Sequence, residues 1–479
     1  MPLPSGLPYD AVKTTAPAVP FGAIIRPLTN LSSVTRRTYL LLFVFLFLPY
    51  SYFNHSDGWN QGSRLAALHA VVIKGTIAID AYQKTTGDKA FVNGHYYSEK
   101  APAMTVLALP AFSVTVLAQR MLGIDPDSVR AWAVSQWIAT TCSVGLVVAL
   151  GGVAFFALLR TRMSDAHALL ATVGVWLGTF AMPYASALFS HAGTAGLMAI
   201  ALWAVLDPRR SARRDYVAGL CAGLAIASEY PAAIGAGCLA VYVWTQDRNR
   251  ASRLLLAFLP GLALIAMNNY LITGSPFQLA YGSNENFPTE GAAHGFGHGA
   301  PSLTAALGVL VGEYRGLFFW NPVLLMAIPG WMVLVRMDRA FAMLIATTAA
   351  LCLLQVASFH NPHGGFAVGP RYLLPAIPIL GLAAAFGIAR FPKTGAALAA
   401  VSVGLMALVT SIGISPAEDL MTPLRDYYIY RLVHGALANN LGLLLGLTRT
   451  GSAALLAVPL GILGWQLLRD VRSARIPPG

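Results

Sequence analysis

Long apolar runs alternate with short polar connections along almost the whole chain. Twelve of these runs, of 13 to 29 residues, are near the length that a helix needs to cross the hydrocarbon core of a bilayer. The pattern therefore predicts an all-α, polytopic transmembrane protein with twelve spans, or thirteen if a shorter run also crosses. The twelve segments are Tyr39–Phe53, Ala131–Leu159, Ala166–Pro183, Leu188–Leu206, Tyr216–Ser228, Pro231–Thr245, Leu254–Ile272, Gly316–Val335, Ala340–Ser358, Tyr372–Ala389, Gly395–Ile414 and Ala453–Leu468.

Composition supports this interpretation. Of 479 residues, 56% are apolar and 11% are charged, whereas about 25% are charged in an average soluble domain. That excludes an ordinary soluble enzyme. The formal net charge is +12, but the basic residues lie in small clusters between apolar runs. They therefore predict membrane orientation, and no nucleic-acid partner.

The basic clusters predict which connections face the cytosol. With both termini in the cytosol, the inner side carries 20 basic and 7 acidic residues and the outer side 12 and 13, as the positive-inside rule requires. The expected location is the cell (inner) membrane. The inner clusters are Arg36 and Arg37, Arg160 and Arg162, Arg209 to Arg214, Arg248 to Arg253, Arg336 and Arg339, Arg390 and Lys393, and Arg469 to Arg475.

This topology divides the chain into modules. Residues 1–37 and 469–479 are predicted cytosolic tails, 38–272 an N-terminal membrane module with an outer loop at 54–101, and 273–315 an outer loop that resembles a lid. Residues 316–468 form a C-terminal module with outer loops at 359–371 and 415–450. The apolar run from Pro102 to Ala118 is predicted to be re-entrant or interfacial, because a full crossing would place Arg160 and Arg162 outside.

The first outer loop is too long to be only a connector. Its part from Arg64 to Lys74 has no Gly or Pro and is predicted to form an interfacial helix. Acidic, basic and aromatic groups converge further on, including Tyr97. Lys100 precedes the Pro-flanked apolar run and is expected at headgroup depth, where its ammonium suits a phosphate of lipid or ligand.

The order of these features resembles a known family. An interfacial helix, then Gly-His-Tyr-Tyr-Ser-Glu-Lys-Ala-Pro ending at Pro102, then an apolar run is similar to the first loop of the GT-C superfamily of integral-membrane glycosyltransferases. Its lipid A aminoarabinose transferases and protein O-mannosyltransferase-like relatives carry Phe-Glu-Lys-Pro-Pro. Lys100 matches the Lys that contacts donor phosphate, and Glu99 the Glu before it. Arg64 resembles the Arg that follows the family's acidic pair. The resemblance implies a GT-C-like fold over the first 250 residues and a polyprenyl-phosphate sugar donor.

The chain departs from that family at both of its usual carboxylates. Asn60 and Gln61 stand where the family has its acidic pair, and the second outer loop offers His191 where an Asp is usual. Either another residue acts as the base, or the protein is a divergent member whose chemistry differs. The candidates in the first loop are Asp80, which is favoured because Ile79 and Tyr82 would hold it near the membrane interface, and Asp57, Asp88 and Glu99.

Further polar residues are expected to face outward at the ends of spans. Glu229 interrupts an apolar run and would be costly there unless it faced a cavity or marked a hairpin tip in water. Arg315 and Arg371 each begin a span, where free backbone N–H groups and a guanidinium suit a phosphate. His363 and Tyr372 accompany Arg371 in that prediction.

No cofactor is predicted. The pairs His294 with His298 and His360 with His363 could ligate a divalent metal, but neither has a third ligand at a diagnostic spacing. No phosphate-binding Gly-x-x-x-x-Gly-Lys-Ser/Thr motif is present, so coupling to ATP in this chain is not expected.

These features predict a membrane glycosyltransferase that passes a sugar from a polyprenyl-phosphate donor to an acceptor on the outer face. The acceptor, whether glycan, lipid or protein, is not encoded in any motif. One alternative is a transporter or flippase of a lipid-linked anion, which would need an internal repeat and a site near the membrane midplane. Another is a polymerase or ligase of lipid-linked glycans, which would place the same residue types outside.

Overall fold

The structure is a computed structural model that describes residues 36–56, 58–287 and 292–473. It consists of helices and one small hairpin. The helices of the first half are α1 (Arg36–Tyr52), α2 (Trp59–His69), α3 (Ala103–Met121), α4 (Val129–Thr140), α5 (Leu146–Arg160), α6 (Asp165–Trp176), α7 (Ala181–Ala185), α8 (Ser190–Leu206), α9 (Ala212–Ser228), α10 (Ala232–Gln246), α11 (Arg248–Leu256) and α12 (Leu259–Thr273). The second half contains α13 (Leu303–Val311), α14 (Leu317–Trp320), α15 (Ala327–Met337), α16 (Arg339–Ser358), α17 (Ile377–Arg390), α18 (Pro392–Ile412), α19 (Tyr430–Val433), α20 (Leu441–Leu444) and α21 (Arg449–Ser473).

The predicted all-α polytopic class is confirmed. Within the described residues, seven helices are long and apolar enough to cross a membrane, and three apolar helices are shorter. Each of the twelve apolar segments predicted from the sequence contains helix. Close helix contacts use glycine: a Cβ on Gly151 of α5 would lie 2.7 Å from Gly196 of α8, as small residues permit in membrane helix pairs.

Basic clusters gather at one end of the helix bundle, which we call the basic end. Arg160, at the end of α5, donates a hydrogen bond of 2.6 Å to Tyr39 at the start of α1. Arg162 donates to the carbonyl of the last residue of α8. Asp215 in α9 pairs with Arg250 in α11 at 2.9 Å. Clusters that the charge pattern assigns to one side therefore lie together in the structure.

The other end, the cavity end, joins the connections predicted to face outward. His55, which follows α1, bonds with Ser186 after α7 (2.8 Å) and with the carbonyl of Thr410 near the end of α18 (3.0 Å). Asn54 N–H donates to the carbonyl of Asn439 in the loop before α20. Segments far apart in sequence thus meet at this end.

Helix α3 covers the run that was predicted to cross incompletely. By its length and apolar composition this helix could span a membrane, and the residues on both sides of it contact the first loop. Lys100, before α3, pairs with Asp88 at 2.8 Å, and Asp127, after α3, accepts a hydrogen bond from Tyr82 at 2.9 Å. The helix therefore starts and ends beside the same loop, and whether it crosses the membrane completely stays a prediction of the charge pattern.

The first loop differs from the prediction in two ways. The expected interfacial helix begins earlier, at Trp59, and continues through a π-helical turn to Lys74. Most of its side chains are buried against the rest of the protein. Among them, Arg64 donates a hydrogen bond to Ser190 of α8. The loop also contains an antiparallel hairpin of β1 (Lys89–Val92) and β2 (His95–Ser98).

The hairpin positions the site. Asn93 and Gly94 connect the strands with positive φ angles of 50° and 87°, the backbone that a tight two-residue turn requires. The register pairs Lys89 with Ser98. Asp88, before β1, therefore comes next to Glu99, after β2.

Behind the hairpin, His69 lies in an aromatic cluster. Its ring stacks on Trp132 at 3.6 Å and contacts Phe112 and Tyr82, while Nδ1 faces Asp127 at 3.4 Å. Burial lowers the pKa of His69 to about 4, against the opposing effect of Asp127. The folded protein therefore holds this imidazole neutral at pH 7.

We expect the thermal stability of the purified protein to fall as the pH drops below about 6.5, the usual pKa of a histidine, toward 4. The unfolded chain binds a proton at His69 in this interval and the folded protein does not, so protonation favours unfolding. His69→Phe keeps an aromatic ring and cannot titrate, and melting curves of this variant should depend less on pH between 7 and 4.5. An equally steep loss in the variant would contradict this role of His69.

The lid-like segment 273–315 is attached to loops on both sides of the cavity end. Asn286 donates to the carbonyl of Gly87 at 2.7 Å, and Lys89 pairs with Glu285 at 3.5 Å. Further along, the N–H of His360 donates to the carbonyl of Gly297 at 2.9 Å. The segment thus bridges the first loop and the loop 359–371.

Candidate active site

A cavity of about 900 Å³ lies at the cavity end, between the first loop, the starts of α8 and α10, the lid-like segment and the loop 359–371. Its volume is typical of a small-molecule site, with an aromatic and apolar lining around a few charged groups. The charged and imidazole side chains among its lining are Arg64, Asp88, Glu99, Lys100, His191, Glu229, His298, Arg371 and Glu418.

Lys100 is at the centre of a buried charge cluster. Its ammonium lies 2.8 Å from Asp88 Oδ2 and also bonds Glu99 Oε1, and the other oxygen of Glu99 accepts a hydrogen bond from Asn284 of the lid-like segment. Burial raises the pKa of the Glu99 carboxyl, although Lys100 opposes the rise. Burial disfavours the Lys100 ammonium, yet Asp88 and Glu99 raise its pKa above the ordinary value. Lys100 is therefore a permanent cation at this wall.

A second network of hydrogen bonds, around Arg64 and Glu229, also lines the cavity. Arg64, fully buried in α2, donates hydrogen bonds to Asn60 and to Ser190 at the start of α8. Ser190 in turn donates to Glu229 Oε1. The same oxygen lies 3.9 Å from Arg64 and 3.3 Å from Nδ1 of His191. Glu229 is therefore part of the site and not a hairpin tip in water.

Arg371 is different because it has no acidic partner in the described part of the chain. Its guanidinium donates one hydrogen bond, of 3.4 Å, to the Tyr372 hydroxyl, and its Nε has no partner. It lies over the rings of Phe189 and Tyr372 at 5.5 and 5.2 Å. A cation in such a position lacks the counter-charge that buried guanidinium groups usually have, so the cavity is prepared for an anion.

Arg315 and His363 support the loop around Arg371 and do not line the cavity. Arg315 is fully buried and donates to the carbonyl of Gly365 at 2.6 Å and to the Tyr314 hydroxyl at 3.2 Å. His363 contacts the Tyr314 ring, and burial lowers its pKa. The structure thus gives Arg315 a positioning role, which corrects the expectation that it would bind substrate directly.

Asp80, the favoured base in the sequence, lies outside the cavity. Its carboxylate accepts hydrogen bonds of 2.7 Å from the N–H of Tyr96 and from His95, on the exposed side of the hairpin. Burial acts to raise its pKa, but these two hydrogen bonds outweigh it and lower the pKa below the ordinary value. A carboxylate so occupied is a poor base, and of the two aspartates it is Asp88 that lines the cavity.

The remaining candidates divide as follows. Tyr97 pairs with Ala90 in the hairpin and packs outside the cavity. Tyr372 lines the cavity. Asp57 lies outside the described residues, as does the side chain of His294. In the described part of the chain, no three His, Cys, Asp or Glu side chains gather as metal ligands.

Several polar residues of the site were not anticipated. Asn60, Ser190 and Asn284 each hold one of the charged groups. Gln61 lines the cavity, fully buried, and neither of its amide atoms has a partner in the described residues. The signal for Asn60 and Gln61 was their position where the resembled family has its acidic pair. Ser190 and Asn284 look like ordinary helix-cap and loop residues.

Comparison with known proteins finds likeness in structure only. No family model matches the chain, and a search of curated proteins finds no match either. Solved structures of membrane proteins are similar to it. ArnT from Cupriavidus metallidurans bound to undecaprenyl phosphate matches with a TM-score of 0.49 and 18% identity, over 91% of this chain and 73% of that one. Its apo state matches with a TM-score of 0.48.

The archaeal oligosaccharyltransferase AglB from Archaeoglobus fulgidus, in complex with an inhibitory peptide and a dolichol-phosphate, is also similar. Its TM-score is 0.44 and its identity 13%, over 93% of this chain and 56% of that one. These matches belong to the GT-C group that the first loop resembles. At such scores the likeness describes an arrangement of helices and carries no argument about chemistry, which rests on the site itself.

Proposed function

We propose that the protein is a membrane glycosyltransferase that takes a sugar from a polyprenyl-phosphate donor and passes it to an acceptor hydroxyl. The observation that carries the proposal is the half-buried guanidinium of Arg371, without an acidic partner in the described residues, in one cavity with Lys100 and with Glu229. A phosphodiester supplies the missing anion. The resemblance of Glu99 and Lys100 to the donor motif of GT-C enzymes supports the same substrate.

The residues suit a single displacement with inversion. The acceptor oxygen forms a bond to the anomeric carbon, and the bond from that carbon to the phosphate oxygen breaks. Arg371 and Lys100 stabilise the charge that grows on the leaving polyprenyl phosphate. A base in the cavity accepts the acceptor proton, and Asp88, Glu229 and His191 are among the carboxylate and imidazole groups that line it.

The proposed setting is the outer face of the cell membrane, with both termini in the cytosol. The basic end of the described bundle then faces the cytosol and the cavity end faces outward, as the positive-inside rule requires. The partners are the bilayer, the lipid-linked donor, and an acceptor glycan, lipid or protein. A transporter would need a site between the two ends, whereas the described charged groups of this cavity lie at one end.

The test is release of free polyprenyl phosphate by purified protein from a panel of polyprenyl-phosphate sugars, with membrane extract as the source of acceptor. Asp80→Asn is the matched control, because Asp80 is exposed and outside the cavity. We expect Asp80→Asn to release at the wild-type rate and Glu229→Ala to lose most of it. No release by folded wild-type protein from any donor, or equal release by both variants, would contradict the proposal.

A further inference from the structure

We propose that His191 is the general base of the transfer and that Glu229 orients its imidazole. The inference rests on the proposed transferase function and assigns the base that the missing family carboxylates leave open. Asp88 and Glu99 are less suitable because Lys100 contacts both of them and Asn284 binds Glu99. A base needs a lone pair that is free to accept the proton of the acceptor.

His191 has such a lone pair. It lines the cavity, is 3% exposed, and its Nε2 has no partner in the described residues. Its other nitrogen, Nδ1, lies 3.3 Å from Glu229 Oε1. In the arrangement that we propose, the hydrogen is on Nδ1, which faces Glu229, and Nε2 is the unprotonated nitrogen. A buried acceptor without a partner is rare in proteins, and a substrate hydroxyl in the cavity would satisfy it.

Ser190 and Arg64 hold the side chain of Glu229 in place beside His191. Ser190 donates a hydrogen bond to Oε1, and Arg64 lies 3.9 Å away. In this position Glu229 orients the imidazole of His191 and stabilises the imidazolium that forms when the proton arrives. Carboxylate and imidazole act in this way in hydrolase triads.

The position of His191 relative to Arg371, which we propose binds the donor phosphate, also suits a general base. Its ring stacks on Phe189 at 5.8 Å and meets the edge of Tyr372 at 5.6 Å. The same two rings lie under the guanidinium of Arg371. The charged groups that act on His191 are Glu229, Arg371, Arg64 and Lys100. His191 and Arg371 thus contact the same two aromatic rings. The proton moves from the acceptor oxygen to Nε2 of His191 as the polyprenyl phosphate leaves.

The experiment compares wild type, His191→Asn, His191→Ala and Glu229→Gln in the donor-release assay across pH, with His434→Asn as control because His434 is exposed in the loop 415–450. We expect His191→Asn to lower kcat about 100-fold or more while the affinity for polyprenyl phosphate changes little. Added imidazole should restore part of the activity of His191→Ala and none of that of His191→Asn. Glu229→Gln should move the acid limb of kcat to lower pH, because the imidazolium loses its carboxylate.

Wild-type kcat in His191→Asn would overturn the assignment. So would a loss of kcat in both His191 variants accompanied by loss of polyprenyl-phosphate binding, since that indicates a structural role. If His191→Ala does not fold, the pH profile of the residual activity of His191→Asn decides: the acid limb should disappear, and its persistence would refute the assignment. A wild-type protein without donor release refutes the transferase itself, which separates that failure from an error in the base.

Discussion

Replacing Arg371 with alanine is expected to lower kcat/KM for the lipid-linked donor by about 100-fold or more, the usual effect of removing one donor to a developing oxyanion. The reason is that its guanidinium has no competing carboxylate in the described residues and faces the cavity. Arg371→Lys keeps the charge and loses the fork that binds two phosphate oxygens. It should retain an intermediate rate.

The assay is the initial rate of polyprenyl-phosphate release over a range of donor concentrations, together with inhibition by free polyprenyl phosphate. Arg425→Ala is the control, because this arginine is exposed and paired with Asp426 at 2.7 Å. The inhibition constant should rise in Arg371→Ala and stay constant in Arg425→Ala. An Arg371→Ala enzyme with wild-type kcat/KM would show that another group binds the phosphate.

Replacing Lys100 with alanine should have the largest effect on stability. It leaves Asp88 and Glu99 buried without their cation, and breaking one partner of a buried ion pair costs about 3 to 5 kcal/mol. The triple variant Lys100→Ala, Asp88→Asn, Glu99→Gln removes the unpaired charges and should recover most of the thermal stability. Its transfer activity should stay low, because the phosphate still lacks the Lys100 ammonium.

Melting curves and release rates on the same preparations separate the two roles. Lys89→Ala provides the control, since Lys89 lies in the same hairpin but pairs with the exposed Glu285 at 3.5 Å and donates to the neutral Gln83 at 2.8 Å, so its removal leaves no buried carboxylate unpaired. If the triple variant recovers both stability and transfer, Lys100 is only structural. If Lys100→Ala melts like the wild type, the buried cluster does not stabilise the fold.

The apolar pattern was sufficient for the architecture. Length and hydropathy located twelve segments that all contain helix. The incomplete crossing that the charge pattern predicts for α3 stays a prediction, because this helix is long enough to span and its flanks at Lys100 and Asp127 meet the first loop. Hydropathy locates such segments because a bilayer imposes the same requirement on each of them: apolar side chains, and backbone hydrogen bonds that are satisfied within the segment. The same constraint does not act in the outer loops.

Which carboxylate enters the cavity depended on a hairpin that periodicity did not reveal. The strands are only four residues long, although Asn93 and Gly94 are a typical hairpin turn and could have indicated it. Their register brings Asp88 to Lys100 and leaves Asp80 bound to His95. Proximity to the membrane interface was therefore the wrong criterion for Asp80.

The contacts between distant segments could not be predicted at all. Glu229 meets Ser190 of another helix, and Asn284 meets Glu99 across 185 positions of sequence. Such contacts depend on how the helices and loops pack, whereas a local pattern reports only one segment. The motif around Lys100 could be recognised in the sequence because its residues are consecutive.

Transfer and transport make opposite predictions for one measurement in sealed proteoliposomes that contain a labelled polyprenyl-phosphate sugar and an acceptor extract, without ATP or an ion gradient. The sugar and the lipid phosphate are followed separately. We predict that glycosylated acceptor and free polyprenyl phosphate appear in equal amounts in wild type and not in Arg371→Ala. Movement of the intact lipid-linked sugar to the other leaflet, with its bond to phosphate unbroken, would contradict the account.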